Sequence, residues 1–533
     1  MSLLLTGGLL VDGTGQAPWR ADVLVRDGRI ARIVEAGVHS GAALSDGVEV
    51  RDVSGSIVCP GFVDIHTHSD LTVLAGPAAR SKVHQGVTTE VVGNCGLGVA
   101  PLPAGADVAG IRRAVSYLDL DPALRWNWPD TAGYLDAVTA ERPSLNVATL
   151  TGHLPLRAGV VGFADRAATT AELHTMQDLL AASFEQGSVG LSTGLAYAPL
   201  CYAAEDELEE LARVVAEHDR FFAWHVRDYA DDLVPSVQQA LRVGERAGCR
   251  VQISHLVVVG RRNWGSVRRA LDLVDAARDR GLPVGVDIYP YLFGNAPLSQ
   301  MLPPWAQEGG AEAMAVRLRT DDARTRIRTE WQNRPLGWDE VTISRVPEDS
   351  PATALVGRTV GSAASADPDG FVLDLLAELG SSVLMIAGGR SEDDLRTVLD
   401  HPATVVASDG LCLDPDGITG AGAPHPRSYG CFPRFLARYA ERSGSGLARA
   451  VAQCTAAPAL IAGLADRGVL REQAPADLVV YSPDRLADRA TFEQPQQYPD
   501  GIELVLVGGE PVIDAGRHTG RGPGSVLRGR KAT

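Results

Sequence analysis

Between residues 59 and 464 the sequence alternates short apolar runs with longer amphipathic stretches, and few folds accept that rhythm. Apolar runs fall at 87–92, 146–150, 221–224, 250–254, 283–288 and 404–408. Amphipathic segments, such as 205–217 and 264–280, lie between them. Near-continuous apolar strands are buried on both faces, which means parallel strands covered by helices, an α/β fold. The number and spacing of the units favour a (β/α)8 TIM-like barrel over an open sheet, and such barrels do their chemistry at the C-terminal ends of their strands.

The two ends of the chain have another texture. Segments 3–5, 9–11, 21–25 and 29–34 read as short strands, as do 476–481, 502–507 and 511–513. A chain of 533 residues is too long for one ordinary core. The expected organisation is therefore a small β-sandwich built from both termini (1–58 and 465–533, the latter including the tail) around a barrel at 59–464. The stretch 294–352 breaks the β/α rhythm with Leu302-Pro303-Pro304-Trp305 and an arginine-rich run. It reads as an insertion over the barrel mouth.

Composition excludes several classes. Hydrophobic residues make up 45% and charged residues 22%, the range of a soluble globular protein. The net charge is −17, and the one basic run is Arg528-Gly529-Arg530-Lys531 at the tail, which speaks against a nucleic-acid partner. No run of 18 or more apolar residues predicts a membrane span. Seven cysteines, scattered and without a CxxC pair, suit a reducing cytoplasm rather than a disulfide framework. Nothing in the sequence sets an oligomeric state.

Metal-type residues recur where the apolar runs end. His66 and His68 follow 62–65, and on a strand they point the same way. Cys95 follows 90–94, His225 follows 222–224, His255 follows 251–254, and Asp409 follows 405–408. Zinc takes cysteine sulfur, histidine nitrogen and carboxylate oxygen. Taken singly, each has an ordinary explanation: a core histidine, a small buried thiol, an Asp-Gly turn. Their joint placement at strand ends is what points to a metal site.

These stretches resemble the amidohydrolase superfamily, and within it the D-aminoacylase (N-acyl-D-amino-acid deacylase) family, over nearly the whole chain. The resemblance rests on 60–70 around His66 and His68, Gly93-Asn94-Cys95-Gly96, Gly194-Leu195-Ala196-Tyr197-Ala198-Pro199, His225-Val226-Arg227, Ile253-Ser254-His255-Leu256, Asp287-Ile288-Tyr289-Pro290-Tyr291, Ser408-Asp409-Gly410 and His425-Pro426-Arg427-Ser428-Tyr429-Gly430. It implies one tightly bound zinc on Cys95, His225 and His255. It implies a second, weaker metal position at His66 and His68 beside Asp409. Asp409 matches the catalytic acid/base, and Cys95 stands where many amidohydrolases use a carboxylated lysine. Tyr197, Val257, Tyr289 and Arg427 are the implied substrate-binding positions.

One departure bears on the substrate. The family usually continues Ser-His-Leu with a lysine that helps hold the substrate carboxylate. Here Ser254-His255-Leu256 continues with Val257, and valine cannot pair with a charge. Arg227, Arg427 or an arginine of the insertion remains to do so. The expected activity is zinc-dependent hydrolysis of a C–N amide bond in an N-acyl amine or N-acyl-D-amino-acid-like small molecule, with a substrate lacking a free carboxylate as one reading of Val257. A cyclic-amide hydrolase of the hydantoinase or dihydroorotase type and a non-catalytic metal-binding scaffold are the rivals.

Overall fold

The computed structural model describes residues 2–37 and 47–529; Arg530 and Lys531 of the basic tail run lie outside the described residues. Eight parallel strands form a ring: Phe62–Asp64, Val87–Val92, Asn146–Gly152, Gly190–Gly194, Phe221–His225, Arg250–Ile253, Val284–Ile288 and Thr404–Val406. Every expected barrel run is one of them, and Gly190–Gly194 joins them although it is too rich in glycine and hydroxyl residues to read as apolar. Alternate positions feed different apolar clusters. Val63, Val91, Ala148, Leu150, Phe221 and Ala223 share one, while Phe62, Val92, Val147, Phe222 and Trp224 share another. That is the period of two of a strand buried on both faces.

First and last strands meet through the segments that follow them. The Asp409 N–H donates to the His66 carbonyl at 2.8 Å, and the His68 N–H donates to the Gly410 carbonyl at 2.9 Å. Below this seam lies a buried ion cluster. Lys82 Nζ is 2.8 Å from Asp64 and 2.9 Å from Glu90, and it donates to Ser408 Oγ at 2.7 Å. Satisfied on every side, the ammonium ties the first strand to the last; a partner removed would leave a buried charge, at a cost of about 3–5 kcal/mol.

Helices between the strands bury one stripe each. Glu205–Glu217 buries Leu208, Leu211, Ala212 and Val215, and Leu233–Ala247 buries Val237, Ala240, Leu241 and Gly244. This i, i+3, i+4 spacing is what the sequence pattern required.

Both ends of the chain enter a single nine-stranded, mostly antiparallel sheet. Its joint is Ile57–Pro60 against Leu478–Tyr481, with Val58 opposite Val480. The insertion has its own three-stranded antiparallel sheet, Gly294–Pro297, Leu384–Ala387 and Val341–Arg345 in that order, and its own core around Ile327, Trp331, Ile343, Val372 and Leu376. It therefore extends to Ala387, beyond the 294–352 expected from sequence. The reason is local resemblance: Pro368–Leu379 is an ordinary amphipathic helix and Leu384–Ala387 an ordinary apolar strand, so both imitate a barrel unit. Only pairing with Gly294–Pro297 and Val341–Arg345 assigns them elsewhere.

Candidate metal centre and substrate cavity

His66, His68, Cys95, His225, His255 and Asp409 all stand at the C-terminal end of the ring, each ending or just following a barrel strand, and all six are buried. Their ligand atoms form three overlapping triads, each within 4.8 Å: His66, His68 and Cys95; Cys95, His225 and His255; and His66, His255 and Asp409. Cys95 Sγ lies 3.3 Å from His66 Nε2 and 3.4 Å from His255 Nε2, and His225 Nδ1 lies 3.0 Å from His255 Nε2. His68 Nε2 is 3.0 Å from Asp409 Oδ1.

The backbone is shaped to bring them together. Cys95, His255 and Asp409 have φ of +53°, +32° and +51°, in the left-handed region where non-glycine residues are rare. Strain of this kind persists only where the surroundings over-determine it. At Cys95 they do. The Asn94 amide donates to the carbonyls of Val91 and Ile65 at 2.9 and 3.2 Å. Across the ring, a Cβ on Gly194 would sit 2.0 Å from the Cys95 carbonyl oxygen, so only glycine admits this approach.

Asp287 orients two of the histidines. Its Oδ1 is 3.1 Å from His66 Nδ1 and accepts from the His255 N–H at 2.8 Å, while Oδ2 accepts from the Gln252 amide at 3.1 Å. A carboxylate only accepts, so Nδ1 of His66 carries the proton and Nε2 is left facing Cys95 and Asp409.

Charge follows geometry. Burial works against a thiolate at Cys95, yet His66, His255 and His225 together hold its thiol well below the ordinary cysteine value. Burial likewise opposes charge on Asp409, but Arg427, His66 and His68 keep its carboxyl well below the usual range. Buried ring atoms His68 Nδ1 and His225 Nε2 have no hydrogen-bond partner. Tetrahedral zinc with bonds of about 2.0–2.3 Å places its ligand atoms roughly 3.3–3.8 Å apart. Thiolate, imidazole and carboxylate at these separations, with orphaned ring nitrogens among them, fit a metal ion.

Above the cluster opens a cavity of about 350 Å³. Tyr197, Val257, Tyr289 and Arg427 all line it. The Tyr197 ring lies 4.7 Å from that of His225. Arg427 Nη1 is 2.8 Å from Asp409 Oδ2, and its guanidinium lies over the Tyr289 ring at 4.5 Å. The Tyr289 hydroxyl accepts from Arg390 at 2.8 Å. Val257 presents only methyl groups. Arg227, an anion partner on sequence grounds, is committed elsewhere. It donates to Gln239 and to the carbonyls of Cys201 and Ala203.

A family model described as the Amidohydrolase family matches residues 49–513. The D-aminoacylase of Alcaligenes xylosoxydans xylosoxydans is 36% identical over 98% of this chain and 97% of its own. The chain belongs to the amidohydrolase family, in its D-aminoacylase branch. Among solved structures, the N-acyl-D-glutamate deacylase of Bordetella bronchiseptica, complexed with zinc and a phosphonate mimic of the tetrahedral intermediate, superposes with a TM-score of 0.81. It is 36% identical and covers 99% of both chains. The D-hydantoinase of Thermus sp. superposes at 0.56 with 14% identity over 99% of this chain and 98% of its own, a likeness of fold alone.

Within this amidohydrolase several residues in and around the cavity escape sequence reasoning. Asp287, beside the cluster and not on the cavity wall, is the penultimate residue of the apolar strand Val284–Ile288, and that placement could have singled it out. Tyr117, Arg345 and Arg390 carry no such mark. They reach the cavity from a loop, from the insertion sheet and from the segment after it.

Proposed function

We propose that this amidohydrolase is zinc-dependent and cleaves the C–N amide bond of a linear N-acyl small molecule, deacylating an N-acyl amine or an N-acyl-D-amino-acid-like substrate. Cys95, His225 and His255 hold the tighter zinc, and His66 and His68, with Asp409 beside them, form a weaker second position. A zinc ion so held lowers the pKa of a bound water toward about 7 and polarises the carbonyl. The remaining work falls to the chain. Arg427 keeps Asp409 ionised, hence ready to take a proton from the attacking water; as the C–N bond breaks, Asp409 returns that proton to the leaving nitrogen. Burial pushes the Tyr197 phenol well above its ordinary value. It stays protonated at neutral pH and is a hydrogen-bond donor for the substrate carbonyl.

The observation that carries this reading is the convergence of three overlapping triads, one of them including the Asp409 carboxylate, at the floor of one cavity. Cys95, in the place where many amidohydrolases carry a metal-bridging lysine, favours linear over cyclic amides, and Asp409 beside a full ligand set argues against a mere scaffold. All seven cysteines are free, and we place the enzyme in the reducing cytoplasm. Among the described residues no helix is long and apolar enough to cross a membrane.

The test is metal content together with turnover of N-acetyl-D-amino acids, their carboxamides and hydantoins. Stoichiometric zinc with hydrolysis of linear amides is expected. Hydantoin cleavage in preference to every linear amide would overturn the reading.

A further inference from the structure

Most cationic side chains on the cavity wall already have partners. Arg227 is held by three hydrogen bonds, Arg427 by Asp409, and Arg390 by the Tyr289 hydroxyl and the Phe293 carbonyl. Arg345 differs. It ends the insertion strand Val341–Arg345 and lines the cavity. Among the described residues, no hydrogen bond or ion pair engages its guanidinium.

Its position is nonetheless well defined. The preceding carbonyl, of Ser344, accepts from the Ala423 N–H at 3.2 Å, and the Arg345 stem packs against Gly422, where a Cβ would lie 3.3 Å from Cγ. Burial lowers its guanidinium below the ordinary arginine value, opposed by Glu348 and Asp119. Glu348 is exposed to water, and Asp119 is already bound by Arg112. Arg345 stands on the insertion's side of the cavity, whereas the metal-type cluster stands at the barrel strand ends. A half-buried guanidinium without an acceptor is unfavourable, and a carboxylate would meet it with two parallel hydrogen bonds.

We propose that Arg345 binds an anionic group that the substrate carries at the end remote from the scissile amide, so that the enzyme prefers N-acyl substrates with a distal carboxylate. This rests on the amide-hydrolase reading above. It also gives Val257 a context: the cation on offer to the substrate comes from the insertion, not from the barrel strand end. The distal carboxylate can belong to the amine half or to the acyl half, and matched pairs separate the two. N-acetyl-D-glutamate is compared with N-acetyl-D-glutamine, and N-succinyl-D-leucine with its succinamoyl counterpart.

In one of the two pairs the wild type should favour the acid by about 10- to 100-fold in kcat/KM, the range of a charge-assisted hydrogen-bonded pair. Arg345→Met should collapse that ratio to within about threefold, and Arg345→Lys should recover part of it. Arg345→Gln replaces the methionine variant if that one does not fold. A binding measurement runs beside turnover: zinc-loaded protein should bind glutarate about tenfold more tightly than butyrate, and Arg345→Met should abolish the difference. Amide hydrolysis with no acid preference, or with a preference that survives Arg345→Met, overturns the Arg345 proposal alone. An Arg345-dependent glutarate advantage in a protein that cleaves no amide leaves the anion site standing and removes the amide-hydrolase reading.

Discussion

The two walls of the cavity are built by different rules. At the strand ends, six buried polar side chains crowd into a few ångströms, three of them on left-handed backbone, and Asp287, Asn94 and Gly194 fix their placement. Opposite, the insertion contributes mainly apolar side chains such as Met301, Leu302, Leu384 and Met385, with Arg345 among them. In the first wall each of these side chains is constrained by several others. The second is a surface on a separate small sheet with its own core, and its side chains can change without disturbing the ring. On the proposed function, chemistry falls to the first wall and selectivity to the second.

If that division is right, the largest effect should come from the first wall. Asp409→Asn keeps the size of the side chain but cannot take the proton, so turnover should fall by about 10²- to 10⁴-fold while most of the zinc stays bound. Near wild-type turnover would remove Asp409 from the mechanism and leave the wall only a metal holder.

Metal content sharpens the same side of the comparison. Cys95→Ala removes the thiolate shared by two of the three triads. Elemental analysis should show zinc well below the wild-type level, with activity lost in step. Stoichiometric zinc with unaltered activity would mean that the sulfur is no ligand.

Val257 lines the cavity two residues past His255, and its replacement should redirect the enzyme rather than disable it. Val257→Lys sets a cation beside His255 and should shift the ratio of kcat/KM between an N-acyl-D-amino acid and its carboxamide toward the acid, by about 10- to 100-fold. A wild type that already strongly prefers the α-carboxylate would show that another cation reads it.

The smallest effect lies outside both walls and checks that the predicted losses are not general fragility. Burial, chiefly, pulls the His84 imidazole down to about 4. Its ring stacks on Tyr498 at 3.8 Å. Unfolded, it would take a proton below about 6.5. The unfolded chain therefore binds more protons between pH 6.5 and 4, and stability should fall as pH drops through that window. His84→Phe keeps the stacking and lacks the titration, so its melting temperature should decline less steeply there. Parallel pH profiles would show that His84 does not contribute.

By itself the sequence determined the barrel, a β-rich unit built from both termini, and which polar residues gather at the C-terminal end of the ring. Period-two and helical spacing are local properties, and a closed parallel ring carries every strand end to the same place. His66, His68, Cys95, His225, His255 and Asp409 were legible because they follow apolar runs; once the ring closes, they have nowhere to be but together. Tertiary structure alone decided the rest. Leu384–Ala387 left the barrel rhythm for the insertion because its partners are distant in sequence. Asp287 was assigned its orienting position by His66, far upstream. Arg227, Arg427 and Arg345 are identical in composition and all line one cavity. Which of them is free for a substrate depends on whether carbonyls, a carboxylate or, among the described residues, no acceptor stands within hydrogen-bond reach, and such pairings across the fold leave no periodic trace in the chain.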